Sequence, residues 1–235
     1  DLHSFPTRRS SDLVGGDMMG KKAGEVFSPA RDNAPISGCT VSEEIIGGRN
    51  CVICCSMADN TDISAEIYPY HKLIIMIKGE AQIYTAHGTE GILHDGDCIL
   101  TRVDVPTGIR TAKSAVYTEI TVWRDDNMNE LIKPGEVFSL AELVPYRDGK
   151  IVNMDVAANE KMKLALMAFD AGTGLSEHAA PGEALIFALD GEGLIGYEGN
   201  EHHIKAGENF RFAKGGMHYV KAEKRFKMAL LLTLE

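Results

Sequence analysis

The chain alternates short apolar runs with polar punctuation. "KLALMAFD", "EALIFALD", "GLIGYE", "HHIKA", "NFRFA" and "KMALLLTL" are separated by "AGTG", "PGE", "DGEG", "EGNE" and "KGG". Short runs spaced closely and evenly between turn residues predict the strands of an all-β sandwich or barrel. "LIIMI" (73–77) and "LIFAL" (185–189) are apolar at every position. Successive strand side chains point to opposite sides, so these two runs predict strands buried between two layers. Helical periodicity is scarce, and "SLAELV" (139–144) predicts one short turn.

The pattern also repeats. "GEVFS" occurs at 24–28 and again at 135–139, an offset of 111. "ISAEIYPYHKLIIMIKGEA" (63–81) lies against "LSEHAAPGEALIFALDGEG" (175–193) at an offset of 112. "HDGD" (94–97) matches "KAGE" (205–208) at 111, and "AVYTEITVW" (115–123) is laid on "KMALLLTLE" (227–235) at 112. Two copies of one unit, 24–124 and 135–235, are therefore expected, joined by the polar stretch "RDDNMNELIKP".

Composition narrows the partners. Of 235 residues, 44% are hydrophobic and 25% charged, as in an ordinary globular chain. No apolar run is long enough to cross a bilayer, and a net charge of -10 disfavours nucleic acid and anionic membranes. The first thirteen residues, "DLHSFPTRRSSDL", read codon by codon like a translated sequencing adapter, and we set Asp1–Leu13 aside as foreign. The five cysteines, an odd number all in the first half, favour free thiols and a cytoplasmic setting. The C-x-x-C within "CVICC" leaves a zinc or redox pair as the alternative.

The spacing of two segments resembles the motifs of the cupin family. The first motif, G-x5-H-x-H-x3-E-x6-G, fits Gly172, His178, Ala180, Ala184 and Gly191. The second, G-x5-P-x-G-x2-H-x3-N, fits Gly207, Ala213, Gly215, His218 and Ala222. In the first unit the same frames run through Glu66, Tyr68 and Lys72, and through Asp104 to Thr107. The resemblance implies a tandem bicupin: two double-stranded β-helix (jelly-roll) barrels, all-β, with the barrels pairing inside one chain as a monomer or in a further homodimer.

Cupins usually hold a divalent metal with the motif-1 histidines and glutamate and the motif-2 histidine. Carried over by position, the second unit keeps His178 and His218 but has Ala180 and Ala184 in the other places. Glu183, one residue before the third ligand position, could complete a facial triad if the Pro181-Gly182 turn re-aims it. Two readings stay open. In one, the C-terminal barrel binds a small polar molecule in a pocket of His178, Glu183, His218 and Arg211. In the other, the protein is an oxygenase or isomerase with Mn, Fe, Ni or Zn on His178, His218 and Glu183. Arg211, between Phe210 and Phe212, is an anion anchor inside the barrel or a charge on its outer face. In the first unit Glu66, Tyr68, His71 and Thr107 could line a polar pocket, and Lys72 brings a cation to a place where a metal site needs an anion. Trp123 is expected to pack between the units.

Overall fold

The computed structural model of the protein describes residues 21–234. Adapter-like Asp1–Leu13 lies outside the described residues. The rest is built almost wholly of antiparallel strands, with one-turn helices at Pro29–Asp32 and Leu140–Leu143. The second of these is the turn expected from "SLAELV". Among the described residues no helix is long and apolar enough to cross a membrane.

Each unit is a barrel made from one large and one small sheet. In the N-terminal unit the large sheet orders Val137–Phe138, Cys98–Leu100, Tyr70–Gly79, Ala115–Trp123, Val52–Met57 and Thr40–Ile46. Its small sheet orders Thr61–Glu66, Thr107–Thr111, Ala81–Thr85 and Gly88–Leu93. The C-terminal unit repeats this plan, with the long strand Glu183–Tyr197 running through both of its sheets.

Alternation explains the apolar runs. On Tyr70–Gly79, Ile74 and Met76 enter the interior of the N-terminal barrel, while Leu73 and Ile75 join a core shared by both units. On Glu183–Tyr197, Ile186 enters the C-terminal interior and Leu185 and Phe187 join the shared core. The large sheets thus pack against one another, and both faces of their central strands are buried. Fully burying one such side chain stabilises by about 1.5–3 kcal/mol.

The sheets do not divide where the repeat does. Val26–Phe27 pairs with Asn209–Phe212 of the C-terminal unit, and Val137–Phe138 pairs with Cys98–Leu100 of the N-terminal unit. The two copies of Gly-Glu-Val-Phe-Ser are exchanged. Trp123 does not pack between the units: it lies 5.1 Å from the Tyr70 ring, under Arg49 at 5.3 Å, and donates to the Arg49 carbonyl. The cysteines are free; Cys54 and Cys55 are buried, and burial pushes the Cys54 thiol up to about 11.

Candidate functional site

The C-terminal mouth brings two predicted residues together. His178 and His218 face each other on neighbouring strands, with ring centroids 4.2 Å apart. His178 Nδ1 meets the Ser176 carbonyl at 2.8 Å, and His218 Nδ1 meets the Gly216 carbonyl at 3.1 Å. A carbonyl only accepts, so each Nδ1 carries a proton and donates it. That leaves each Nε2 with its lone pair. His178 is exposed and His218 buried. Burial holds the His218 imidazolium below its usual pKa; the Gly216 carbonyl opposes this and His178 adds to it.

Glu183 does not join them. The strand begins at Glu183 itself, so this residue is already in the pleat and points to the face opposite Ala184. Ala184 faces the barrel interior, whereas Leu185, opposite Arg211 on the next strand, faces the other way. Glu183 therefore meets Arg211, whose Nη2 donates to both carboxylate oxygens at 2.8 and 2.9 Å. Arg211 Nη1 donates to the Lys21 carbonyl. Neither residue lines a pocket with the histidines: Arg211 lies on the outer face and ties down the N-terminal segment.

The space beneath the pair is filled. Ala180 and Ala184 are buried, Phe169, Phe210, Phe212 and Phe226 are completely so, and the Phe212 ring lies 4.2 Å from His218. Among the described residues no three His, Cys, Asp or Glu side chains are placed to hold a metal ion. A catalytic zinc takes three protein ligands and a facial iron site two histidines with a carboxylate. Two imidazoles over a phenyl ring do not fit a metal centre of either kind.

The N-terminal mouth is built differently. A cavity of about 30 Å³ is lined by Tyr68, Lys72, Thr101, Thr107 and Glu119, with room for one or two waters. Lys72 Nζ lies 3.0 Å from Glu119 Oε2 and 4.1 Å from the centre of the Tyr68 ring. Burial opposes the charge on Lys72, but Glu119 and then Tyr68 outweigh it, so its pKa is raised. The Tyr68 hydroxyl donates to Glu66, and burial followed by that bond pushes its pKa up to about 12.

Of the four residues expected here, Tyr68 and Thr107 line the cavity and Glu66 reaches it through the Tyr68 hydroxyl. His71 does not. It neighbours Lys72 on one strand and so points to the opposite face, where Nδ1 meets the Thr101 carbonyl at 2.7 Å. Sequence reasoning missed Glu119 and Thr101. The signal for Glu119 was a single carboxylate inside the apolar strand "AVYTEITVW".

Comparison with known proteins agrees with this architecture. Residues 165–234 match the family described as Cupin domain. The fold is the cupin fold. A solved cupin 2 conserved barrel domain protein from Leptotrichia buccalis is 27% identical, with a TM-score of 0.80 over 92% of this chain and 99% of that one. A salicylate 1,2-dioxygenase from Pseudaminobacter salicylatoxidans, 11% identical, superposes with a TM-score of 0.62 over 88% of this chain and 83% of that one. AerE from Microcystis aeruginosa, 14% identical, gives 0.52 over 86% and 96%. At such identities the last two show the cupin fold alone. None of the curated proteins matches.

Proposed function

We propose that this cupin binds a small polar molecule without a resident catalytic metal, and that the binding chamber is the mouth of the N-terminal barrel. One observation carries the reading. Lys72 stands in the frame of the third cupin ligand, it is paired with Glu119, and both line a cavity together with Thr101 and Thr107. An ammonium at that place repels a divalent cation. Together with the Glu119 carboxylate it offers both donors and acceptors to a polar group that reaches in from the open mouth, the enclosed cavity itself having room for only one or two waters. The pair is internally neutral, so the chamber suits a hydroxy or carbonyl compound better than a highly charged one.

A second reading rests on the C-terminal histidines. In the tautomer that donates from Nδ1, their Nε2 lone pairs could accept a hydrogen bond or a proton from a ligand held over the exposed mouth. Metal content separates both readings from a metal-dependent oxygenase or isomerase. Protein purified without chelator is expected to carry well under one metal per chain, unchanged by His178→Ala or His218→Ala. One metal per chain, lost in both variants, would overturn the proposal.

A further inference from the structure

The outer face of the small N-terminal sheet carries an inference independent of the mouths. Ile83 and Ile109 point into the barrel, so Gln82 and Arg110, their neighbours along the chain, point outward. The register sets Asp62, Arg110, Gln82 and Ile92 in one row across four strands. This row borders an open groove of about 380 Å³ that is also lined by Glu80.

Arg110 is held in place without being neutralised. Its Nε donates to Gln82 Oε1 at 2.6 Å, and Gln82 in turn donates to the Thr89 hydroxyl. The guanidinium lies 5.0 Å from the centre of the Tyr84 ring, and that ring lies over Gly108, where an added Cβ would collide with it. Opposite charges on directly opposed residues of neighbouring strands ordinarily pair. Asp62 stands directly opposite Arg110. Yet among the described residues its carboxylate has no partner, and neither terminal nitrogen of Arg110 makes a hydrogen bond. Glu80 has the exposed His94 beside it at 3.5 Å and no lysine or arginine.

The C-terminal copy serves as a control. There the same sheet has Gly174, Lys221 and Leu194 in place of Asp62, Arg110 and Gln82. Lys221 also lies over a tyrosine, Tyr219 at 4.5 Å, so a cation on a ring is common to both copies. The carboxylate and the amide are not. Glu192, the counterpart of Glu80, is neutralised by Lys224 at 2.5 Å. Lys113, the counterpart of Lys224, makes no ion pair among the described residues. The N-terminal groove is thus left with two carboxylates, a guanidinium whose terminal N–H groups suit a carboxylate, and an apolar patch at Ile92, 48% exposed. We propose that this groove binds a basic α-amino acid: Arg110 takes its carboxylate, Asp62 and Glu80 take its two cationic groups, and Ile92 covers its aliphatic stem. Two carboxylates and one guanidinium complement a ligand of two cations and one anion.

The test is backbone amide NMR of the full chain titrated with L-lysine in physiological salt. Saturable shifts are expected at Asp62, Glu80, Gln82, Ile92 and Arg110, with none at Lys72 or His218. Cadaverine lacks the carboxylate and L-alanine lacks the second ammonium, so each should bind at least about tenfold more weakly. Glucose, a neutral polyol, should not bind. Arg110→Gln and Asp62→Asn should each weaken L-lysine by about tenfold or more. Lys221→Gln, the matching change in the C-terminal copy, should leave the affinity unchanged. The ligand series on the unaltered chain decides the matter even where a variant fails to fold. No saturable shift with L-lysine up to about 20 mM would overturn the proposal. So would cadaverine or glucose binding as tightly as L-lysine, or an affinity unchanged in both Arg110→Gln and Asp62→Asn.

Discussion

The two barrel mouths occupy the same place in the fold and hold opposite chemistry. Glu66 opposite Thr107 in the N-terminal unit corresponds to His178 opposite His218 in the C-terminal unit. Behind them the N-terminal mouth has Lys72, Thr101 and Glu119, and the C-terminal mouth has Ala184, Phe212 and Leu230. One is a polar chamber closed by an ion pair. The other is an apolar plug beneath two imidazoles. The two mouths of this fold are therefore completed in two ways: satisfy the charges inside, or remove them and fill the space. The first leaves recognition chemistry facing a cavity, and the second does not.

The largest effect should come from unplugging the C-terminal side. Phe212 is completely buried against His218, so Phe212→Ala should cost about 3–5 kcal/mol in chemical denaturation. A cost below about 1 kcal/mol would mean that the ring fills little space.

The N-terminal ion pair should show a different signature. Lys72→Met leaves a half-buried Glu119 unpaired and should cost about 2–4 kcal/mol, toward the lower end because both side chains retain some exposure, 20% and 13%. Lys72→Ala with Thr101→Phe and Glu119→Leu copies the other mouth and should recover most of that loss. A triple variant no more stable than the single one would mean that the two solutions are not interchangeable.

The smallest effect is on pH. The His218 pKa is lowered on folding, chiefly by burial, so the unfolded chain binds the extra proton first. Its contribution is fully present above the unfolded histidine pKa of about 6.5 and is lost as pH falls through the lower folded value. Stability should therefore fall on acidification through this window, and His218→Asn should flatten that part of the profile. An unchanged slope would assign the effect to other groups.

Much of this was legible in the sequence. Short runs and turn residues gave the strands, and apolar positions on both faces marked the shared core. Lys72 stood out because the motif frame placed it where an anion belongs. Glu119 did not, for a reason of register. The last strands were laid on each other at an offset of 112, which sets Glu119 against Leu231, a residue of the shared core. In the structure the last strands correspond at 111, with Glu119 opposite Ile74 and Leu230 opposite Ile186, and the bulges at Val116/Tyr117 and Ala188/Asp190 are matched in the two copies. A slip of one residue turns every side chain to the other face. Glu183 failed by the same rule, since one position from a ligand site along a strand is the wrong side of the sheet. The strand exchange was unreadable because two identical pentapeptides carry no sign of which barrel each completes.

The two mouths differ most in where a small polar molecule should bind. Backbone amide NMR of the full chain, titrated with small hydroxy and carbonyl compounds, tests this most directly. Shifts confined to Tyr68, Lys72, Thr101, Thr107 and Glu119, and lost in the triple variant, are expected. Saturable shifts at His178 and His218, with the N-terminal mouth silent, would contradict it.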